Sequence, residues 1–121
     1  MQTLLTLILA ILLSGFSLLV SPPLLAADLA GAPTVDSTQG SQIFEIHCAG
    51  CHLNGGNIVR RGKTLKLKAL GRNGVDSIES IAQLVTNGKG NMSVYRDRLS
   101  EAEIQTVSAY VLEQAQKNWQ K

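Results

Sequence analysis

The chain has 121 residues, with 11 Lys and Arg against 9 Asp and Glu, for a formal net charge of +2 at neutral pH. That length suits one small domain, and the near balance of charge gives no warrant for a nucleic-acid binder or a disordered charged tail. Two Phe, two Tyr and one Trp are a thin supply of large side chains at a size where domains lean on a disulfide, a metal or a cofactor, so a bound group is expected before any motif is read.

Residues 1–27 contain no Asp, Glu, Lys or Arg and run almost unbroken apolar from Leu4 to Val20. As a helix that run would measure ~25 Å at ~1.5 Å per residue, short of the ~30 Å hydrocarbon core. Pro22 and Pro23 interrupt it, and Ala26 and Ala27 stand before Asp28 as small residues stand before a secretory cut. Residues 1–27 are therefore expected to be a cleaved signal peptide, with an uncleaved anchor as the alternative, since Met1, Gln2 and Thr3 supply no basic side chain. Membrane contact is expected through this leader alone.

Residues 28–36 hold Gly31 and Pro33 without apolar periodicity and read as a flexible segment before the domain, residues 37–121. Ser37 or Thr38 can cap a first helix whose apolar positions Ile43, Phe44 and Ile46 run into Cys48. Gly55, Gly56 and Gly62 mark a loop, and Leu65, Leu67 and Leu70 among lysines suggest a short helix over residues 64–70. Asp76 with Glu79 reads as a capping box ahead of Ile78, Ile81, Ala82 and Val85, a helix stopped by Asn87 and Gly88. Ser100 with Glu103 is a second such box, with Leu99 and Ile104 at the staple positions. Ile104, Val107, Val111 and Ala115 then form one stripe of a helix running to about Trp119. Without alternating strand patterns or internal repeats, the expected class is all-α.

Cys48, Ala49, Gly50, Cys51 and His52 spell C-x-x-C-H, the arrangement of c-type haem attachment. Two thiols three residues apart at a helix end can each add to a haem vinyl group, and the adjacent imidazole is then held facing the iron. The competing readings are a C-x-x-C redox pair, half of a zinc site and a structural disulfide. Zinc asks for about four ligands, and Cys48, Cys51, His52 and His47 fall within six residues, too close to enclose a metal. A thioredoxin-like pair asks for a βαβ context that the pattern lacks. An electron-transfer haem needs a sixth ligand, and Met92, the only methionine outside the leader, is the first candidate, on a glycine-containing loop; a gap-filling core methionine is the alternative. His47 is the competitor, but it lies five residues from His52 on the attachment helix. It reads as a surface or hydrogen-bonding histidine.

Arg60, Arg61, Lys63, Lys66, Lys68 and Arg72 gather six cations with no acid between Glu45 and Asp76, whereas Asp97, Glu101 and Glu103 lie beyond the Met92 loop. This polarity is either a solvated face or a docking patch that steers an acidic partner.

At these residues the chain resembles the class I cytochromes c, and within them the cytochrome c6 group, over nearly all of residues 28–121. The similarity runs through Cys48–His52, Asn54-Gly55-Gly56-Asn57, Thr64-Leu65-Lys66, Val85-Thr86-Asn87-Gly88-Lys89, Met92, Arg98-Leu99-Ser100 and Ala109-Tyr110-Val111-Leu112, ending in Trp119. The resemblance implies a fold of about four helices around one covalently attached haem c. Cys48 and Cys51 would carry the thioethers, His52 and Met92 the iron, and the first and last helices would cross near Phe44 and Tyr110. It also implies a monomeric, non-enzymatic one-electron carrier of the thylakoid lumen or periplasm. Its transient partners would be membrane redox complexes: cytochrome f of the b6f complex, and photosystem I or a terminal oxidase.

Two departures from the family pattern stand out. Met92-Ser93 replaces the usual Met-Pro, removing a fixed torsion from the ligand loop, so a softer loop is expected and a haem-based sensor or ligand-binding module becomes the alternative function. Leu84 stands where photosynthetic members carry Gln, a feature similar to a lower-potential, c6-like branch. An additional disulfide, as in plant relatives, is excluded, because Cys48 and Cys51 are the only cysteines.

Overall fold

A computed structural model describes residues 36–120. The expected signal peptide and all of the expected tether except Asp36 lie outside the described residues. Asp36 itself is the N-cap of the first helix, its carboxylate accepting from the Thr38 and Gln39 backbone N–H groups. The cap thus lies one or two residues before the expected Ser37 or Thr38. Aspartate wins because an ionised oxygen accepts two orphan N–H groups at the positive end of the helix.

Five α-helices follow, and among the described residues there is no strand beyond an isolated antiparallel bridge between Lys89 and Met92. We number them α1 (Ser37–His47), α2 (Ala49–His52), α3 (Leu67–Arg72), α4 (Ile78–Asn87) and α5 (Glu101–Gln116). Two 3-10 turns, Leu53–Gly55 and Arg61–Lys63, lie between α2 and α3. The all-α expectation holds, and the attachment segment supplies the extra short helix.

The α4 cap differs from the expected Asp76–Glu79 box. Ser77 and Ser80 form it, with the Ser77 hydroxyl accepting from the Ser80 N–H and Ser80 Oγ accepting from the Ser77 N–H. Serine is as good a cap as aspartate and carries no second charge to place beside Glu79. The α5 box is as expected: Glu103 accepts from Ser100 at 2.8 Å, and Leu99 and Ile104 are both buried. That helix ends at Gln116 rather than near Trp119, because Asn118 and Trp119 turn to positive φ. The third helix begins at Leu67, leaving Leu65 half-buried before it and Leu67 itself exposed.

The core runs from Ile43 and Phe44 of α1 through Leu70, Ile81 and Val85 to the α5 stripe Ile104, Val107, Val111 and Ala115. Ile46 departs from its expected place: it is 76% exposed. The first and last helices cross as the resemblance implied, with Phe44 and Tyr110 rings 5.6 Å apart. Gly40 is what permits this approach, since a Cβ there would stand 2.6 Å from Tyr110 Cβ and 3.1 Å from the Thr106 carbonyl oxygen. Among the described residues no helix is long and apolar enough to cross a membrane.

Candidate functional site

Cys48 ends α1, its N–H donating to the Phe44 carbonyl at 2.8 Å, and its own carbonyl accepts from the His52 N–H at 2.9 Å. The chain therefore passes from one helix directly into the single turn of α2, and Cys48, Cys51 and His52 all reach one cavity of about 310 Å³. Apolar side chains from every major helix line it, among them Phe44, Leu70, Ile81, Val85, Val107 and Val111. Met92 reaches the same cavity from the loop after α4, and so does Leu84 from α4 itself. The four residues singled out by motif and scarcity thus converge on one apolar chamber. His47 also borders it, and its backbone carbonyl is occupied by the Tyr95 hydroxyl at 2.7 Å.

The His52 ring is already oriented. Its Nδ1 lies 2.9 Å from the Gly56 carbonyl oxygen, a pure acceptor, so Nδ1 carries the proton and Nε2 is left with its lone pair for a metal. Both cysteines are free. Burial, with the neighbouring Cys51 second, pushes the Cys48 thiol up to about 11. No group of three or more Cys, His, Asp or Glu able to hold a metal ion occurs among the described residues, which leaves the zinc reading without a ligand set.

Met92 sits on a loop with its own tie. The Lys89 N–H donates to the Met92 carbonyl at 3.2 Å and the Met92 N–H to the Lys89 carbonyl at 3.1 Å, across Gly90 at φ +61°. The Tyr95 N–H then donates to Val85 O at 3.2 Å. A second, more open groove of about 520 Å³ lies between α4 and α5, lined by Glu79, Gln83, Arg96 and Glu101, with no thiol, imidazole or thioether.

The chain is similar to several known proteins. A family model described as "Cytochrome C oxidase, cbb3-type, subunit III" matches residues 35–111. A "Cytochrome c6" of Synechococcus sp. is 45% identical over 119 residues, covering 98% of each chain. The chain belongs to this domain family and to the cytochrome c6 family, its c6-like branch included. A "Cytochrome c6-like" protein of Nostoc sp. is 63% identical over 84 residues, which is 69% of this chain and 76% of the relative. The crystal structure of cytochrome c6C from Synechococcus sp. PCC 7002 matches with a TM-score of 0.64 and 70% identity, over 65% of this chain and 96% of that one.

Cytochrome c6 proteins are monohaem electron carriers with one covalently bound haem c. The residues here fit that group: two free thiols at the cavity wall, an imidazole with Nε2 unblocked, a thioether from a separate loop and an apolar lining. Sequence reasoning missed the Gly56 carbonyl, because a backbone acceptor leaves no trace in residue identity. The Gly55-Gly56 pair was the available signal, since two adjacent glycines mark a backbone held in a demanding conformation.

Proposed function

We propose that this chain is an exported one-electron carrier of the thylakoid lumen or periplasm, with Cys48 and Cys51 as the haem thioethers and His52 and Met92 as the axial ligands. The observation that carries the reading is the convergence of these four side chains on one apolar cavity, with His52 Nδ1 committed to Gly56. When bound, the haem supplies a single iron that gains or loses one electron. The protein's part is to keep water off the iron with Phe44, Val107 and Val111, to fix the imidazole, and to hold Met92 in reach through its pairing with Lys89. None of these tasks asks for rearrangement between the two oxidation states.

Approach of a partner is served by the segment beside the cavity. Val59, Arg60 and Lys63 border the cavity, Ile58 and Val59 are 74% and 57% exposed, and Arg61 follows directly. Among the described residues the only ion pair is Lys117–Glu113, so the six cations of residues 60–72 keep their charge for an outside partner. An apolar contact ringed by unpaired cations suits a redox protein whose own docking face is acidic, and membrane complexes such as cytochrome f, photosystem I or a terminal oxidase are the proposed class.

A spectroscopically monitored redox titration of the exported protein tests this reading, since absorbance reports ligation and the midpoint reports role. A methionine-ligated spectrum with a high midpoint supports exchange with cytochrome f and photosystem I. A markedly lower midpoint assigns the protein to the c6-like circuit and makes Leu84 the cause to test. Binding of carbon monoxide to the reduced protein at neutral pH would overturn Met92 ligation and favour a ligand sensor.

A further inference from the structure

The C-terminal tail beyond α5 is held in a conformation it would not choose alone. Asn118 and Trp119 lie consecutively at φ +54° and +57°, in the left-handed region that L residues avoid and that persists only where surrounding contacts enforce it. Those contacts are present. The Trp119 N–H donates to Gln114 O at 2.7 Å, and Lys66 Nζ donates to Asn118 O at 3.2 Å. The indole ring packs on Phe44 at 5.0 Å between centroids and on Tyr110 at 6.3 Å.

The indole also reaches the loop that serves His52. Trp119 Nε1 donates to the Leu65 carbonyl at 2.9 Å, and the Leu65 N–H donates to the Gly55 carbonyl at 2.8 Å. The ring lies so close to Gly55, itself at φ +71°, that a Cβ there would stand 2.4 Å from Cδ1 and Nε1. The next carbonyl along, that of Gly56, accepts from His52 Nδ1 at 2.9 Å. Two successive glycines have little torsional stiffness of their own, so the direction of the Gly56 carbonyl must be set from outside. Tryptophan and Leu65 set it on one side and His52 receives it on the other.

We propose that Trp119 is a positioning residue for the axial histidine. Its indole N–H and ring fix the Leu65–Gly55 pairing, which aims the Gly56 carbonyl at Nδ1 and thereby sets the orientation and basicity of the imidazole. The proposal rests on the reading of His52 as an iron ligand. A fixed acceptor on Nδ1 makes the far nitrogen a better donor to ferric iron. Loosening the latch therefore favours the ferrous state and raises the midpoint.

The test uses the haem-loaded protein with Trp119→Phe, which keeps an aromatic ring on Phe44 and removes the N–H donor. The expected result is a shift of roughly three- to tenfold toward ferrous iron, ~28 to ~59 mV at ~59 mV per decade for one electron, with faster solvent exchange of the His52 Nδ1 proton. Leu112→Ala, in a half-buried residue of α5 outside the latch, provides a variant of lowered thermal stability. An unchanged midpoint and exchange rate in Trp119→Phe, or equal changes in Leu112→Ala, would overturn the proposal. If Trp119→Phe fails to fold, replacing Trp119 by benzothienylalanine swaps the N–H for sulfur at constant shape and is read the same way. Paramagnetically shifted His52 ring protons in the unmodified protein establish ligation beforehand; their absence would sink the ligand assignment itself, independently of any variant.

Discussion

Gly88 stands directly behind the Met92 backbone: a Cβ on Gly88 would lie 2.6 Å from the Met92 carbonyl oxygen and 3.0 Å from the Ser93 carbonyl. The glycine ends α4 at φ +66° and ψ 173°, a region open essentially to glycine alone. Gly88→Ala therefore meets both torsional strain and collision with the proposed ligand loop. We expect a loss of about 1–3 kcal/mol in stability together with weakened methionine ligation, read by thermal denaturation and by the absorbance of the oxidised protein.

Met92→Ala removes the thioether and leaves the thiols and His52 untouched. The haem should remain attached, the sixth position should accept carbon monoxide, and the midpoint should fall by more than tenfold in the redox equilibrium, ~59 mV or more, because a thioether ligand favours ferrous iron. A spectrum identical to the unmodified protein's would remove Met92 from the iron.

The Glu103 carboxylate accepts from the Ser100 backbone N–H and from the Ser100 hydroxyl, both at 2.8 Å. These bonds, the backbone one first, hold its pKa below the ordinary 4.5. A depressed folded-state value means that the cap contributes above the unfolded pKa and is lost as pH falls through the folded one. Thermal stability should therefore decline on acidification below about pH 4.5, the unfolded carboxylate range. Glu103→Gln keeps an acceptor oxygen but cannot titrate, so it should flatten this part of the pH profile. An unaltered acid limb in that variant would show that the cap does not contribute to it.

Arg60 and Arg61 follow two exposed aliphatic residues, Ile58 and Val59, at the edge of the cavity. Replacing both arginines by glutamine should slow association with an acidic-faced redox partner roughly three- to tenfold at low ionic strength, and should make the rate less sensitive to salt. Stopped-flow electron transfer across a salt series measures both quantities. Equal salt slopes for the two proteins would make these cations a solvated face only.

Much of the architecture is legible in the residues, and the places where it is not are instructive. The α5 stripe and its Ser100–Glu103 box announce themselves, because periodicity and cap chemistry are local. The Ser77–Ser80 box is hidden by the more familiar acidic pattern beside it, since two serines rank equally as caps and only geometry chooses. Ile46 is as apolar as Ile43 and Phe44 yet faces solvent, because it stands two residues, about 200° of helical turn, from the deeply buried Phe44. At the site, C-x-x-C-H and a lone methionine mark four residues by type alone. The Gly56 carbonyl, the Lys89–Met92 pairing and the indole bond to Leu65 O are main-chain relationships. Only the folded path of the chain brings them together.

The crossing of α1 and α5 has a topological consequence. Ser37 Oγ, at the start of α1, donates to Glu113 Oε2, in the last turn of α5, at 2.8 Å. The start of α1 and the last turn of α5 therefore lie side by side. His47 and the cavity lie at the other end of α1, about 15 Å away at ~1.5 Å per residue. A flexible bridge from the chain beyond Trp119 back to Ser37, with new ends opened in the exposed stretch at Arg61 and Gly62, would give a circular permutant in which Met92 precedes an intact Cys48–His52 segment.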